Sequence, residues 1–340
     1  MKKMLILGTI VIVLASPVLA GVVKKTKTDV TFRGFGKFAL AQTEKLTTAQ
    51  RWTDTQSDFK GQGIAGGLAG KTILKPGDMG EIVDLGQSLV FKLDNKKKEY
   101  TVGPIEKIEP AKEEQEAGGG KEAEAQEGES HIKITRNEFK VEDTGEQSVT
   151  NNFPVRKYLV HWLTEWEDTE TGDKGSSRLE TQVWTTPLNE NLQKAREEEA
   201  KFYRAYLEKI GLNVEKSQQD ILGTSWLSVL DSLGKAKGQP GRDTSKAAQE
   251  MQKIKGYPIV VDGQYFISGQ KATGEGGQEE ATDVKAKVGG LLKKTLKKKP
   301  AEAAGSAADP ALTYRTEVLE ISTPDLGAGD FQVPPTYKKK

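Results

Sequence analysis

Not one cysteine occurs among the 340 residues, and histidine occurs only twice. The first absence excludes disulfide bridges, thiolate metal sites and lipid attachment to a cysteine. The second leaves His131 and His161 as the whole supply of imidazole for metal binding or general base chemistry. A charge excess is missing too, since 50 Lys and Arg stand against 49 Asp and Glu. Without a basic surplus the chain lacks the electrostatic footprint of a nucleic-acid binder, and nucleic acid is not expected as a partner. Beyond the first twenty residues no apolar run approaches the ~20 residues of a spanning helix. The Gly-x-Ser-x-Gly nucleophile pattern is absent as well. Its nearest phrase, Gly223-Thr224-Ser225-Trp226-Leu227, lacks the second glycine. Carboxylates are plentiful but lie in charge runs, so no acid-base pair stands out, and an enzyme is not expected.

What is present begins with Lys2 and Lys3, an apolar run from Met4 to Ala15, and Ser16-Pro17-Val18-Leu19-Ala20 before Gly21. That order reads as a signal peptide over residues 1–20, cut near Ala20, leaving an exported periplasmic or extracellular chain. A retained anchor would need a longer run than this one, which Gly8 and Thr9 interrupt.

The stretch GQGIAGGLAGKT, Gly61 to Thr72, ends like a phosphate-binding loop. Ala65 holds the first-glycine position, Asp58-Phe59-Lys60-Gly61 offers no buried strand ahead of it, and Pro76-Gly77 breaks any following helix. No nucleotide is expected, and no cofactor. The stretch reads instead as a pliable connection, with a gate over a ligand groove as a second use.

Short alternating segments read as strands at Val30 and Phe32, Glu81 to Asp84, Leu89 to Leu93, Glu99 to Val102, His131 to Val141, Lys157 to Trp166, Ser177 to Thr185 and Thr313 to Ile321. Ile259 to Ile267 reads as a hairpin turning at Asp262-Gly263, because Asp-Gly suits a type I′ turn. Leu192, Ala195, Phe202, Tyr203 and Tyr206 keep one face of a helix between Pro187 and Gly211, and two shorter helices fit Gln218 to Leu233 and Ser245 to Lys255. The expected class is α+β, a curved antiparallel sheet with inserted helices, in a single domain over residues 21–340. Polar, low-complexity insertions fall at about 110–130 and 268–310, and the first admits a second reading as an interdomain linker.

Two clusters are candidates for binding. Tyr158, Trp162 and Trp166 share one strand face and Trp184 lies on the probable partner strand. They line either a hydrophobic or sugar-binding groove or the domain core. In VKAKVGGLLKKTLKKK, Val284 to Lys299, one helical face carries Val288, Leu291, Leu292 and Leu296 while Lys293 and Lys294 crowd the rest. That pattern suits a helix docked on an anionic membrane, or a short lid packed on the sheet. His161 and Glu165 share a strand face, but no third metal ligand accompanies them.

The runs GEIVDLGQSLVFKLDNKKKEYTV (Gly80 to Val102), FPVRKYLVHWLTEWEDTETG (Phe153 to Gly172), TQVWTTP (Thr181 to Pro187) and TEVLEISTPDLGAGDFQVPPTYKK (Thr316 to Lys339), closing on Phe331, Pro334 and Tyr337, resemble a family of exported bacterial domains of unknown function. That family looks distantly related to the Lol-type lipoprotein carriers. The resemblance implies an unclosed antiparallel half-barrel wrapped over helices, whose apolar concave face receives lipid chains in the carriers. It brings no catalytic residues. The charged insertions and the larger helical block depart from the carriers. The expected function is an exported envelope protein sheltering a lipid or lipidated peptide; the alternative is a structural or protein-interaction module of the envelope.

Overall fold

A computed structural model describes residues 19–62, 77–107, 132–211, 244–268 and 309–340. Residues 1–18, most of the glycine-rich stretch, the insertion at 110–130, the expected helix at 218–233, nearly all of 268–310 and the basic segment with Val288, Leu291, Leu292, Lys293, Lys294 and Leu296 lie outside the described residues.

Fourteen strands are described. They are β1 (Leu19–Ala20), β2 (Val22–Phe32), β3 (Gly36–Leu46), β4 (Gln50–Gly61), β5 (Asp78–Asp84), β6 (Leu89–Asp94), β7 (Glu99–Pro104), β8 (Ile132–Thr150), β9 (Phe153–Asp168), β10 (Lys174–Thr186), β11 (Tyr257–Ser268), β12 (Leu312–Ser322), β13 (Asp325–Leu326) and β14 (Lys338–Lys339). Helices α1 (Glu190–Lys209) and α2 (Thr244–Met251) sit between β10 and β11. Twelve strands form one open sheet in the order β14-β7-β6-β5-β4-β3-β2-β12-β11-β10-β9-β8, and β1 pairs separately with β13. Every pairing in the large sheet is antiparallel except β14 with β7. A sheet-rich fold with few helices is therefore what the alternating segments build. Among the described residues no helix is long and apolar enough to cross a membrane.

Period-2 alternation explains the layering. Along β2 the side chains of Val22, Lys24, Thr26, Thr28, Val30 and Phe32 share one face, and both helices pack on that face. Ala195 and Phe202 of α1 lie against Val22, Leu46 and Val83. Met251 of α2 and Ile254 lie against Tyr158, Val160, Leu179 and Val183. Helix α1 starts where Asn189 Oδ1 accepts the Leu192 N–H at 2.9 Å and stops at Gly211 with φ +81°. The opposite face carries charge pairs over the middle strands, such as Lys37 with Asp29 and Arg315 with Asp262. Farther along, the C-terminal segment covers it, with Leu326 and Phe331 packed on Ile82 and Leu93.

The expected hairpin at Asp262-Gly263 is overturned. Strand β11 runs straight through both residues, pairing Asp262 with Gln182 and Arg315, and Gly263 with Thr181 and Tyr314. The glycine serves a close approach instead. A Cβ on Gly263 would stand 2.2 Å from Tyr314 Cζ, so the tyrosine ring lies flat over the strand and its hydroxyl reaches Thr181 Oγ1 at 2.9 Å. The two-residue turn with both φ positive is Asn151-Asn152, at +50° and +67°, joining β8 to β9. Asp58 to Gly61, expected to offer no buried strand, is the end of β4 with Phe59 buried. The third expected helix, Ser245 to Lys255, is shorter, ending at Met251.

The outer edge of β8 is covered at one point, where Glu250 of α2 accepts the Val141 N–H at 2.9 Å. Elsewhere Arg136, Glu138, Lys140 and Glu142 line that strand with exposed charge, which opposes edge-to-edge association.

Candidate functional site

Strand register assembles two transverse rows on the helix-bearing face. Phe59, Phe38, Val30, Tyr314, Gly263, Thr181, Val160 and Val141 stand opposite one another from β4 to β8. Alongside them run Phe32, Leu312, Tyr265, Leu179, Trp162 and Phe139. Neighbours within a row are one strand spacing apart, about 4.8 Å, which brings facing side chains within contact range. Phe38 packs at a tilt against Phe59, with ring centroids 4.4 Å and planes 39° apart, and Phe139 meets Trp162 edge to face at 5.7 Å.

The four aromatic groove candidates are not brought together at one place. Tyr158 is 3% exposed, beneath α2. Trp162 is half-buried in the second row, its Nε1 donating to Asn137 Oδ1 at 2.9 Å. Trp166 is half-buried farther along β9, its ring lying on the backbone of Gly175, where a Cβ would come within 2.1 Å of it. Trp184 has the opposite strand parity and lies against the cluster of Val155, Tyr257 and Val260, with Lys157 Nζ 5.2 Å from its ring centre. His161 is exposed, in register with Lys140 and Glu180, while Glu165 pairs with Arg136. Among the described residues no group of three or more His, Asp or Glu side chains is placed to hold a metal ion.

Beside the apolar rows lies a charged cluster that sequence reasoning did not nominate. Lys24 on β2 pairs with Glu44 on β3 at 3.1 Å and with Glu199 on α1. The Tyr203 hydroxyl donates to Glu44 at 2.7 Å, and the Tyr257 hydroxyl to both oxygens of Glu199 at 3.0 Å. Arg51 on β4 pairs with Glu81 at 2.5 Å, and its guanidinium lies 5.7 to 5.9 Å from the rings of Phe202, Tyr203 and Tyr206. Its Nε is buried with no hydrogen-bond partner; the ring faces give the cation partial compensation. A signal was present: Glu199 interrupts the apolar stripe of α1 between Ala195 and Phe202, a position where an isolated charge is costly.

Burial sets the electrostatics of the cluster. It opposes the charge on Lys24, but Glu199 and Glu44 together outweigh it and hold the ammonium well above its ordinary value. Burial would likewise raise Glu44, yet the Lys24 charge and the Tyr203 hydrogen bond keep it below its ordinary value. The phenols of Tyr203 and Tyr257 are pushed up, first by burial and then by their carboxylate neighbours.

The sign of the pH dependence follows. Lys24, Tyr203 and Tyr257 keep their protons in the folded chain at pH values where the unfolded chain loses them, so their stabilisation is complete below the ordinary values of 10.0 and 10.5 and declines above them. The Glu44 contribution is complete above 4.5 and is lost as pH falls through its lowered folded value. Urea midpoints measured from pH 3 to 11 are expected to show a plateau between these limits. A midpoint that stays level up to pH 11 would contradict the alkaline limb.

The closing phrase is structural in place. Phe331 is buried on Ile82 and Leu93, and Tyr337 donates to Asn95 Oδ1 at 2.9 Å. Asn95 also bridges Asp54 and Asp78, at 2.6 and 2.7 Å.

No protein-family model matches the chain, and no curated protein matches it with significance.

Proposed function

We propose that the chain is an exported, non-enzymatic binding protein of the cell envelope, cleaved near Ala20, whose sheet curves as a half-barrel around its helices and shelters the apolar part of a lipid or lipidated peptide. The observation that carries this reading is the pair of apolar rows, in which Val30, Phe32, Phe38, Tyr265, Trp162 and Phe139 are half-buried. A few such aromatic side chains facing one acyl chain stabilise it by ~25 cal/mol per Å² of apolar surface covered. Val288, Leu291, Leu292 and Leu296, with Lys293 and Lys294, supply the membrane-docking face in this scheme. Anionic lipid is the surface they would meet.

A second reading, an envelope interaction module with no small-molecule ligand, is favoured by the other half of the same face. There Tyr158, Val160, Leu179 and Val183 are filled by the chain's own Met251 and Ile254. Native mass spectrometry of residues 21–340 purified from a bacterial periplasm separates the two. The binding reading expects co-purified mass that extracts as lipid; a bare protein mass that persists after incubation with lipid vesicles would leave the interaction module.

A further inference from the structure

On the helix-bearing face, polarity changes in steps along each strand. From the apolar pair Phe32 and Val30, strand β2 passes to Thr28, then Thr26, then the mostly covered Lys24. Register repeats the sequence on the neighbours except opposite Thr28, where β3 carries Leu40 and β4 carries Ser57. Phe38 and Phe59 stand beside Val30, Gln42 and Thr55 beside Thr26, and Glu44 beside Lys24. The chain thus carries a band of uncharged polar groups between an aromatic band and a closed ionic cluster.

The members of that band are incompletely satisfied by protein. Thr28 Oγ1 and Thr316 Oγ1 share one hydrogen bond at 3.0 Å. Thr26, Gln42 and Thr55 are half-buried, and among the described residues their side chains make no hydrogen bond. A carboxamide and two hydroxyls on adjacent strands offer both donors and acceptors to one small polar group. The ionic cluster offers no unmatched charge to an anion, because Lys24 and Arg51 are countered by Glu44, Glu199 and Glu81, and its one unpartnered donor, Arg51 Nε, is buried away from the band. A carboxylate or phosphate brought to this band would meet no unmatched cation, only a net excess of carboxylate.

Resting on the binding reading above, we propose that the site takes a single-chain amphiphile with an uncharged hydroxyl- or amide-bearing head, seated on Thr26, Gln42 and Thr55, its tail running over Val30, Phe38 and Phe32. The band selects against fatty acids and phospholipids by leaving their charge without a partner in a partly desolvated place. Position along the strand sets which end of the ligand lies where: the head next to α1, the tail toward the β2–β3 turn.

The test uses residues 21–340 with two probes of equal chain, 1-monooleoylglycerol and oleate, titrated at pH 8 below micelle formation and followed by tryptophan fluorescence. The neutral probe is expected to bind at least about tenfold more tightly. Gln42→Leu and Thr26→Val are each expected to weaken it by about fivefold, the effect of one hydrogen bond, while leaving oleate unchanged. Thr55→Val provides an independent substitution should either fold poorly by circular dichroism. Oleate binding as tightly as monooleoylglycerol, or substitutions that weaken both probes alike, would overturn the head assignment while leaving the groove intact. If neither probe binds, the groove reading falls and this assignment with it.

Discussion

Replacing Lys24 with methionine is expected to lower the free energy of unfolding by ~3–5 kcal/mol, the usual result of removing one partner from a buried ion pair. Two carboxylates lose their counter-charge at once. Glu44 is 5% exposed, and Glu199 stands on the buried side of α1, so neither can turn to water without moving the helix. Methionine fills the volume of the lysine stem, so the loss comes from charge rather than from a cavity. The companion variant carries Lys24→Met, Glu44→Gln and Glu199→Gln. It is expected to regain most of the loss, because glutamine still accepts from Tyr203 and Tyr257 without requiring a cation. Urea unfolding followed by circular dichroism measures both. A single variant within ~1 kcal/mol of the parent would show that the cluster is solvated. A triple variant no better than the single would show that the pairing itself, and not the stranded charge, holds α1 to the sheet.

Gly263→Ala is the second large effect, expected to cost ~2–3 kcal/mol by overpacking. The new methyl would enter the Tyr314 ring, and that ring is not free to move aside, since its hydroxyl is tied to Thr181 across β11. The measurement that isolates this cause is a double-mutant cycle. Tyr314→Leu is destabilising in its own right, but in that background the additional cost of Gly263→Ala should fall below ~1 kcal/mol. An unchanged cost would place the penalty in the backbone of β11 rather than in the ring above it.

The contrast between Gly263 and the Asn151-Asn152 turn shows where local reasoning stops. Asp262-Gly263 has the composition of a tight turn, and flanking β-branched residues strengthen that reading. Nothing within ten residues reveals that Tyr314 will lie across the glycine, because Tyr314 belongs to a strand that arrives 51 positions later, as the pairing of Gly263 with Tyr314 shows. Asn151-Asn152 makes the true two-residue turn, with both residues at positive φ, and β8 and β9 pair from it without a register shift from Thr150 and Phe153 back to Gln147 and Arg156. Composition favoured the wrong pair; the partner strands settled the matter.

Side-chain period carried other elements correctly. The stripe of Leu192, Ala195 and Phe202 is the buried side of α1, and the segments Glu81 to Asp84, Leu89 to Leu93, Glu99 to Val102 and Thr313 to Ile321 lie within observed strands. Tyr158, Trp162 and Trp166 do share a face of β9, yet the sequence does not reveal that Tyr158 closes under α2 while Trp166 rests on Gly175.

Alternation within a strand and periodicity within a helix are local properties, written into sterics and the exclusion of apolar groups from water, and the chain states them residue by residue. From them come the sheet-rich class and which side of each segment faces inward, while composition alone gives the absence of disulfide or thiolate chemistry and the balance of charge. Neighbour order and register are different in kind. Lys24 meets Glu199 across 175 positions, and Phe59 comes into line with Val141 only after eight strands have paired. Those contacts depend on summed pairing energies of distant segments, each small alone, and become definite when the whole sheet closes its core.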